Sequence, residues 1–138
     1  MKSTRSPRSA LVSLAAMLMI QGCGGADPSG PPEQLPEPGE LRVSLAGSPS
    51  AGAVVLTLTG PGIGTPAPGG GATLYHDLSG GTLHAVVVGT SLSGEILRFP
   101  APDVRQVGGY QAVLQQVAGT DNQPLDVGDF SVTVSAVP

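Results

Sequence analysis

The chain has 138 residues, with six Lys plus Arg against ten Asp plus Glu and a formal net charge of −4. Lys2, Arg5 and Arg8 fall within residues 1–9, so Arg42, Arg98 and Arg105 are the only cations in the rest of the chain. Nucleic-acid binding needs clustered cations that displace counterions from phosphates; three scattered arginines exclude it, and exclude a polybasic hold on anionic lipid as well.

Residues 1–9 carry no carboxylate, and Ala10 to Ile20 is apolar apart from Ser13. A basic start, a short apolar stretch and small residues at its end are the parts of a secretory signal. A helix over Ala10–Ile20 covers about 16 Å, against a hydrocarbon core of about 30 Å, so the stretch is too short to remain as a span. It closes on Ile20-Gln21-Gly22-Cys23, which holds the single cysteine.

That ending resembles the lipobox of bacterial lipoproteins, where an aliphatic residue stands three positions before the cysteine and a small residue directly before it. Ile20 and Gly22 occupy those positions; Gln21 departs from the small or β-branched residue common between them. The resemblance implies that residues 1–22 are a signal peptide and that Cys23 becomes the mature N-terminus bearing a covalent lipid. It implies an exported protein held on a bacterial membrane, with no cofactor beyond that lipid. Gly24 behind the cysteine points to the outer membrane, by analogy with the sorting of Gram-negative lipoproteins, with the domain in the periplasm or on the cell surface. With Cys23 lipidated, no disulfide is left to staple the fold, and packing must hold it.

Residues 23–39 contain Pro28, Pro31, Pro32, Pro36 and Pro38 and almost nothing apolar except Leu35. They cannot form a core and read as a flexible Pro/Gly tether that lifts the domain clear of the membrane. Across the whole chain Gly and Pro number 21 and 14, which predicts frequent turns and argues against long helices. With no Trp, the core should be built from Val, Leu, Ile and Ala.

From Glu40 the hydrophobic period becomes two. Leu41, Val43 and Leu45 alternate with Arg42 and Ser44, a half-buried strand. Ala53–Thr59 is β-branched and stops at Gly60-Pro61-Gly62, and Ile63–Gly71 is a loop. Ala72–Leu78 and Thr82–Gly89 flank Ser79-Gly80-Gly81 as a hairpin. Closing it with a two-residue Gly80-Gly81 turn sets Asp77 opposite His84 and Leu78 opposite Leu83, which gathers apolar side chains on one face. A three-residue loop, which would instead oppose His76 and His84, does not. Glu95–Phe99 is a further strand, ended by Pro100 and Pro102. Residues 109–118 fit both helical and alternating spacing, and the surrounding glycines favour a strand. Phe130–Ala136 alternates cleanly, and with Tyr110–Val117 it should form a hairpin around Thr120–Gly128.

About seven strands at intervals near ten residues predict an all-β domain over residues 40–138, an antiparallel β-sandwich of immunoglobulin-like type. Gly52–Leu58 and Gly94–Phe99 are similar to strands of cohesin-type domains, extracytoplasmic β-sandwiches that bind other protein modules. The resemblance transfers no binding residue.

Candidate chemistry is sparse. His76 and His84 flank the hairpin turn and could start a metal site, which needs three or four ligands in fixed geometry. Asp121, Asn122, Asp126 and Asp129 crowd one loop with oxygen donors that suit Ca²⁺, but Asp and Asn are also ordinary turn residues and the spacing is not that of an EF-hand. No Gly-x-Ser-x-Gly elbow, phosphate-binding glycine loop or cleft-forming carboxylate pair beyond Glu95 and Asp103 is present. The sequence therefore predicts a non-enzymatic, lipid-anchored envelope protein whose sandwich binds another protein. A carbohydrate- or polymer-binding module, with Tyr75, Tyr110, Phe99 and Phe130 as its only rings, and a periplasmic metal-binding protein are the alternatives.

Overall fold

Alternation places Leu41, Val43 and Leu45 on the buried side of strand β1 (Gly39–Gly47) and turns Arg42 and Ser44 outward. A computed structural model describes residues 32–138, so Cys23 and the signal segment lie outside the described residues. Eight more strands follow: β2 (Ala51–Thr59), β3 (Ala67–Pro68), β4 (Thr73–Ser79), β5 (Thr82–Leu92), β6 (Gly94–Ala101), β7 (Gln111–Gly119), β8 (Pro124–Leu125) and β9 (Phe130–Ala136). Two 3₁₀ turns, Val104–Gly109 and Val127–Asp129, separate the later strands.

The strands form two antiparallel sheets, ordered β3-β6-β1-β9 and β4-β5-β2-β7-β8. This is the all-β sandwich expected from the alternation, and residues 109–118 enter it as strand β7. The seven strands of seven residues or more are those read from sequence. The two-residue β3 and β8 fall inside Ile63–Gly71 and Thr120–Gly128, where so short a strand leaves no period to read.

One expected pairing is corrected. β7 and β9 are not hairpin partners: β7 pairs with β2 in one sheet and β9 with β1 in the other. Leu125 folds back against Val117 as part of β8, and the Val127–Asp129 turn then leads the chain into the opposite sheet. There Val132, Val134 and Ala136 register with Leu45, Val43 and Leu41.

The β4–β5 hairpin takes the two-residue register. Asp77 faces His84, His76 faces Ala85, Leu78 faces Leu83 and Leu74 faces Val87. Gly80 and Gly81 have φ of 59° and 77°, the double positive φ of a type I′ turn, whose twist matches that of the flanking strands.

Between the sheets lies an aliphatic core around Leu41, Val43, Leu56, Leu58, Leu83, Val87, Ile96 and Leu97, in which Phe99 is the largest fully buried side chain. Phe99 and Tyr110 meet with ring centroids 5.4 Å apart at 55°, a favourable tilted geometry. The Tyr110 hydroxyl donates to the Pro61 carbonyl at 2.6 Å. A Cβ on Gly60 would sit 2.3 Å from the Tyr110 ring, so this position has to be glycine.

Truncating the largest core ring tests this arrangement. Phe99→Ala should cost about 3–5 kcal/mol, whereas Val113→Ala, at an exposed strand position, should change stability by less than about 0.5 kcal/mol. Urea unfolding followed by far-UV circular dichroism would read both, and equal effects would contradict the packing described.

Candidate binding face

Strands β4, β5, β2 and β7 each turn alternate side chains away from the core, and their registers align these outward residues in rows. One row runs Tyr75, Val86, Val55, Gln116; a second runs Asp77, His84, Thr57, Val113; a third runs Thr73, Val88, Ala53, Ala118. Tyr75 is 63% exposed, Val113 45% and Val88 40%. Solvent-facing positions of an antiparallel sheet are ordinarily polar, whereas β5, β2 and β7 carry mostly apolar side chains there.

The face is gently hollowed. A depression of 440 Å³ is lined by Ala53, Val55, Gln116, Ala118, Asn122 and Pro124. A second, of 290 Å³, includes Tyr75, Asp77, His84 and Val86 and shares Val55 with the first. Both are open troughs rather than enclosed cavities, suited to side chains of a macromolecule more than to a small ligand.

Charge separates the two sheets. Asp77 is the only Asp, Glu, Lys or Arg on the five strands of this sheet. The opposite outer surface carries Arg42 beside Arg98, with Ser44 beside Glu95. Its cations are engaged: Arg98 pairs with Glu95 and, at 3.7 Å, with Glu40, and Arg42 Nε donates to the Ser135 hydroxyl at 3.1 Å. The Glu95 contacts, a hydrogen bond first and charge second, raise the Arg98 pKa above its ordinary value. That surface is polar and its arginines are paired or hydrogen-bonded; the five-stranded one is mostly apolar, crossed by the single row of Asp77, His84 and Thr57.

The sequence-predicted site residues occupy separate places. His76 and His84 project to opposite faces of the β4–β5 hairpin, because His76 pairs with Ala85 and His84 with Asp77. Among the described residues no three His, Cys, Asp or Glu side chains come together as a metal-binding group. Asp121 accepts from the Gln123 N–H at 3.1 Å and Asp126 from the Gly128 N–H at 2.8 Å, each closing its own turn. Asn122 adopts φ 63° between β7 and β8, and Asp129 ends the second 3₁₀ turn. Glu95 lies on β6 with Arg98, whereas Asp103 caps the first 3₁₀ turn.

The row Asp77, His84, Thr57 has the acid–imidazole–hydroxyl order of a hydrolytic triad, and the Thr57 hydroxyl lies 3.4 Å from His84 Nδ1. A nucleophile also needs an oxyanion site and a substrate cleft. This row lies on an open sheet surface and reads as a polar strip across the apolar face.

Sequence reasoning did not single out Val55, Val86, Val88 and Val113. The available signal was the unbroken run Ala85-Val86-Val87-Val88, together with Ala53-Val54-Val55. A strand with one wet face alternates; an uninterrupted apolar strand has both faces covered or meant to be covered. No family model, curated protein or solved structure matches the chain.

Where the chain enters the sandwich, Asp103 accepts from the Arg105 N–H at 3.1 Å and the Glu37 N–H at 3.3 Å. Val104 N–H returns a bond to the Glu37 carbonyl at 2.8 Å, so the bonded fold begins ahead of Glu40. Desolvation pushes the Asp103 carboxyl upward, but those two N–H bonds and the Arg105 guanidinium together hold it below the usual value. A depressed carboxylate stabilises the fold above its unfolded pKa, about 3.9, and that contribution is lost as pH falls through the lower folded value. Asp103→Asn keeps the capping oxygen but not the charge. It should lower the thermal midpoint at neutral pH, and the gap to wild type should close below about pH 4. A gap that persisted in acid would assign the effect to something other than this charge.

Proposed function

We propose that the protein is exported, anchored to a bacterial membrane through a lipid on Cys23, and acts without catalysis by binding another protein of the cell envelope. The observation that carries this reading is the apolar, cation-free outer face of the five-stranded sheet. Partner-binding surfaces differ from the rest of a protein by their depletion of charge at the centre and by the presence of Tyr. Tyr75, Val86, Val55 and Val88 have that composition. The opposite sheet, with its arginine–carboxylate pairs, does not.

The lipid anchor and the tether follow from the lipobox resemblance and the proline-rich segment behind it. Gly24 favours the outer membrane. Diacyl or triacyl modification would hold firmly where a single chain holds marginally, leaving the sandwich free to meet partners within the reach of the tether. A polymer-binding role draws support from the exposed Tyr75, but stacking on sugars calls for further exposed rings. Phe99 and Tyr110 are buried and Phe130 is half-buried.

Replacing Cys23 by Ser should move the protein from the membrane pellet to the soluble fraction, and continued pelleting would remove the lipid anchor from this account. The face is tested separately, with the full chain in mild detergent as bait over its own envelope extract. Val88→Glu combined with Val113→Glu alters exposed positions only, so the fold should survive by circular dichroism while a saturable protein partner is lost. Retention of the partner by the double variant would refute the face as the site, and retained polysaccharide in place of protein would favour the polymer-binding reading.

A further inference from the structure

The ends of the two sheets are not treated alike. An edge strand exposes a row of unpaired N–H and C=O groups, and proteins blunt such edges with very short strands, proline, bulges or charge. Edge strands β3 and β8 are two residues long and contain Pro68 and Pro124. Edge strand β9 lies against both 3₁₀ turns and β7. Edge strand β4 carries one charge, Asp77, and none of the other devices. It runs seven residues without proline or lysine, its register with β5 is unbroken, and all but one of its residues are exposed.

The turn settles which backbone groups of β4 are free. In a two-residue hairpin the residues flanking the turn, here Ser79 and Thr82, exchange both hydrogen bonds, and bonded pairs then alternate along the ladder. Ser79, Asp77, Tyr75 and Thr73 therefore direct their N–H and C=O groups to β5. Leu78, His76 and Leu74 direct theirs outward. On the same strand, Tyr75 and Asp77 project onto the apolar face, so a strand added at this edge would lengthen each row of that face by one residue.

Charge narrows what can be added. The unit Gln34–Pro138 holds three arginines against eight carboxylates, a net of −5. The arginines lie on β1, β6 and the first 3₁₀ turn, away from β4. Asp77 has no ion-pair partner among the described residues, and Asp121 and Asp126 border the far side of the same sheet. Such a field attracts cations and repels an acidic segment.

We propose that β4 receives an extended segment of a partner protein as a sixth strand of this sheet. The main chain of that segment would bond to Leu74, His76 and Leu78, its apolar side chains would lie beside Tyr75, and a Lys or Arg would stand by Asp77. The proposal rests on the binding-face reading above and gives the partner its chemistry. Main-chain bonds supply affinity in this mode of recognition, and alternate side chains supply specificity.

The test uses the full chain in detergent and a labelled peptide that alternates Val and Thr around central lysines, with a matched peptide carrying Glu at those positions. The Lys peptide should bind saturably, more weakly as salt rises, and the Glu peptide should not. His76→Pro removes an outward N–H and no bond to β5, so the hairpin should persist while binding falls about tenfold or more. Asp77→Asn should flatten the salt dependence. A peptide N-methylated on the bonding positions should lose binding to the unaltered protein, which keeps the test independent of any folding defect in the proline variant.

Unchanged binding by the N-methylated peptide, or equal binding of the Lys and Glu peptides, would overturn the proposal. So would a concentration-dependent dimer in sedimentation that His76→Pro abolishes, since the edge would then belong to a second copy of this chain. If His76→Pro leaves capture of the envelope partner intact while Val88→Glu with Val113→Glu abolishes it, the face stands and the edge falls.

Discussion

Everything in this domain depends on apolar contact between two sheets. Among the described residues the buried set is hydrophobic throughout, with no buried polar or charged side chain, and a single cysteine permits no internal disulfide. A core of this kind gains stability from area removed from water and from close packing. It carries no polar network to specify which strand lies where. Specificity is left to shape and to the turns: the Phe99–Tyr110 contact, the Tyr110 bond to Pro61 that ties the ring to the end of β2, and Gly60, where nothing larger fits.

With the inward residues committed to packing, function has only the outer faces and the loops. The two outer faces have diverged. One has the composition of a solvated surface, with Arg98 paired to neighbouring carboxylates and Arg42 hydrogen-bonded to a serine hydroxyl. The other keeps valines at solvent-facing positions across β2, β5 and β7. Valine has high strand propensity on a pleated surface, but threonine serves nearly as well there and is soluble, as Thr57 on the same face illustrates. Propensity alone therefore does not account for Val55, Val86, Val88 and Val113 together, whereas the partner binding proposed for this face would.

Much of the architecture is legible in the sequence because each long strand has one buried face. Leu41, Val43 and Leu45, or Val132 and Val134, can alternate with polar residues only if a core lies on one side. The Gly80-Gly81 turn is legible for a different reason, since two adjacent positive-φ positions between apolar runs have few other uses. What cannot be read is which sheet each strand joins. β7 and β9 are consecutive among the long strands and alternate compatibly, but pairing is decided by contacts with β2 and β1, far away along the chain. The acidic loop shows the same limit at the level of the site. Asp121 and Asp126 have the oxygens of a cation ligand, and the structure directs one oxygen of each to an N–H two residues on.

The two turn glycines link fold and site more tightly than their size suggests. A slip of one residue in the β4–β5 pairing would exchange the faces of a whole strand, sending Tyr75 and Asp77 towards the core side and Leu74 and Leu78 to the outer face. It would also exchange the backbone groups that face β5 with those that face solvent. The same register thus decides which side chains border the apolar face and which N–H groups remain open at its edge. An ordinary strand edge would be dangerous if left both exposed and uncharged. Here the edge bears Asp77, so that an identical edge approaching in register brings carboxylate towards carboxylate while a basic segment does not. A single acidic residue at that position can therefore weigh against self-association and in favour of a cationic partner, without any change to the core beneath it.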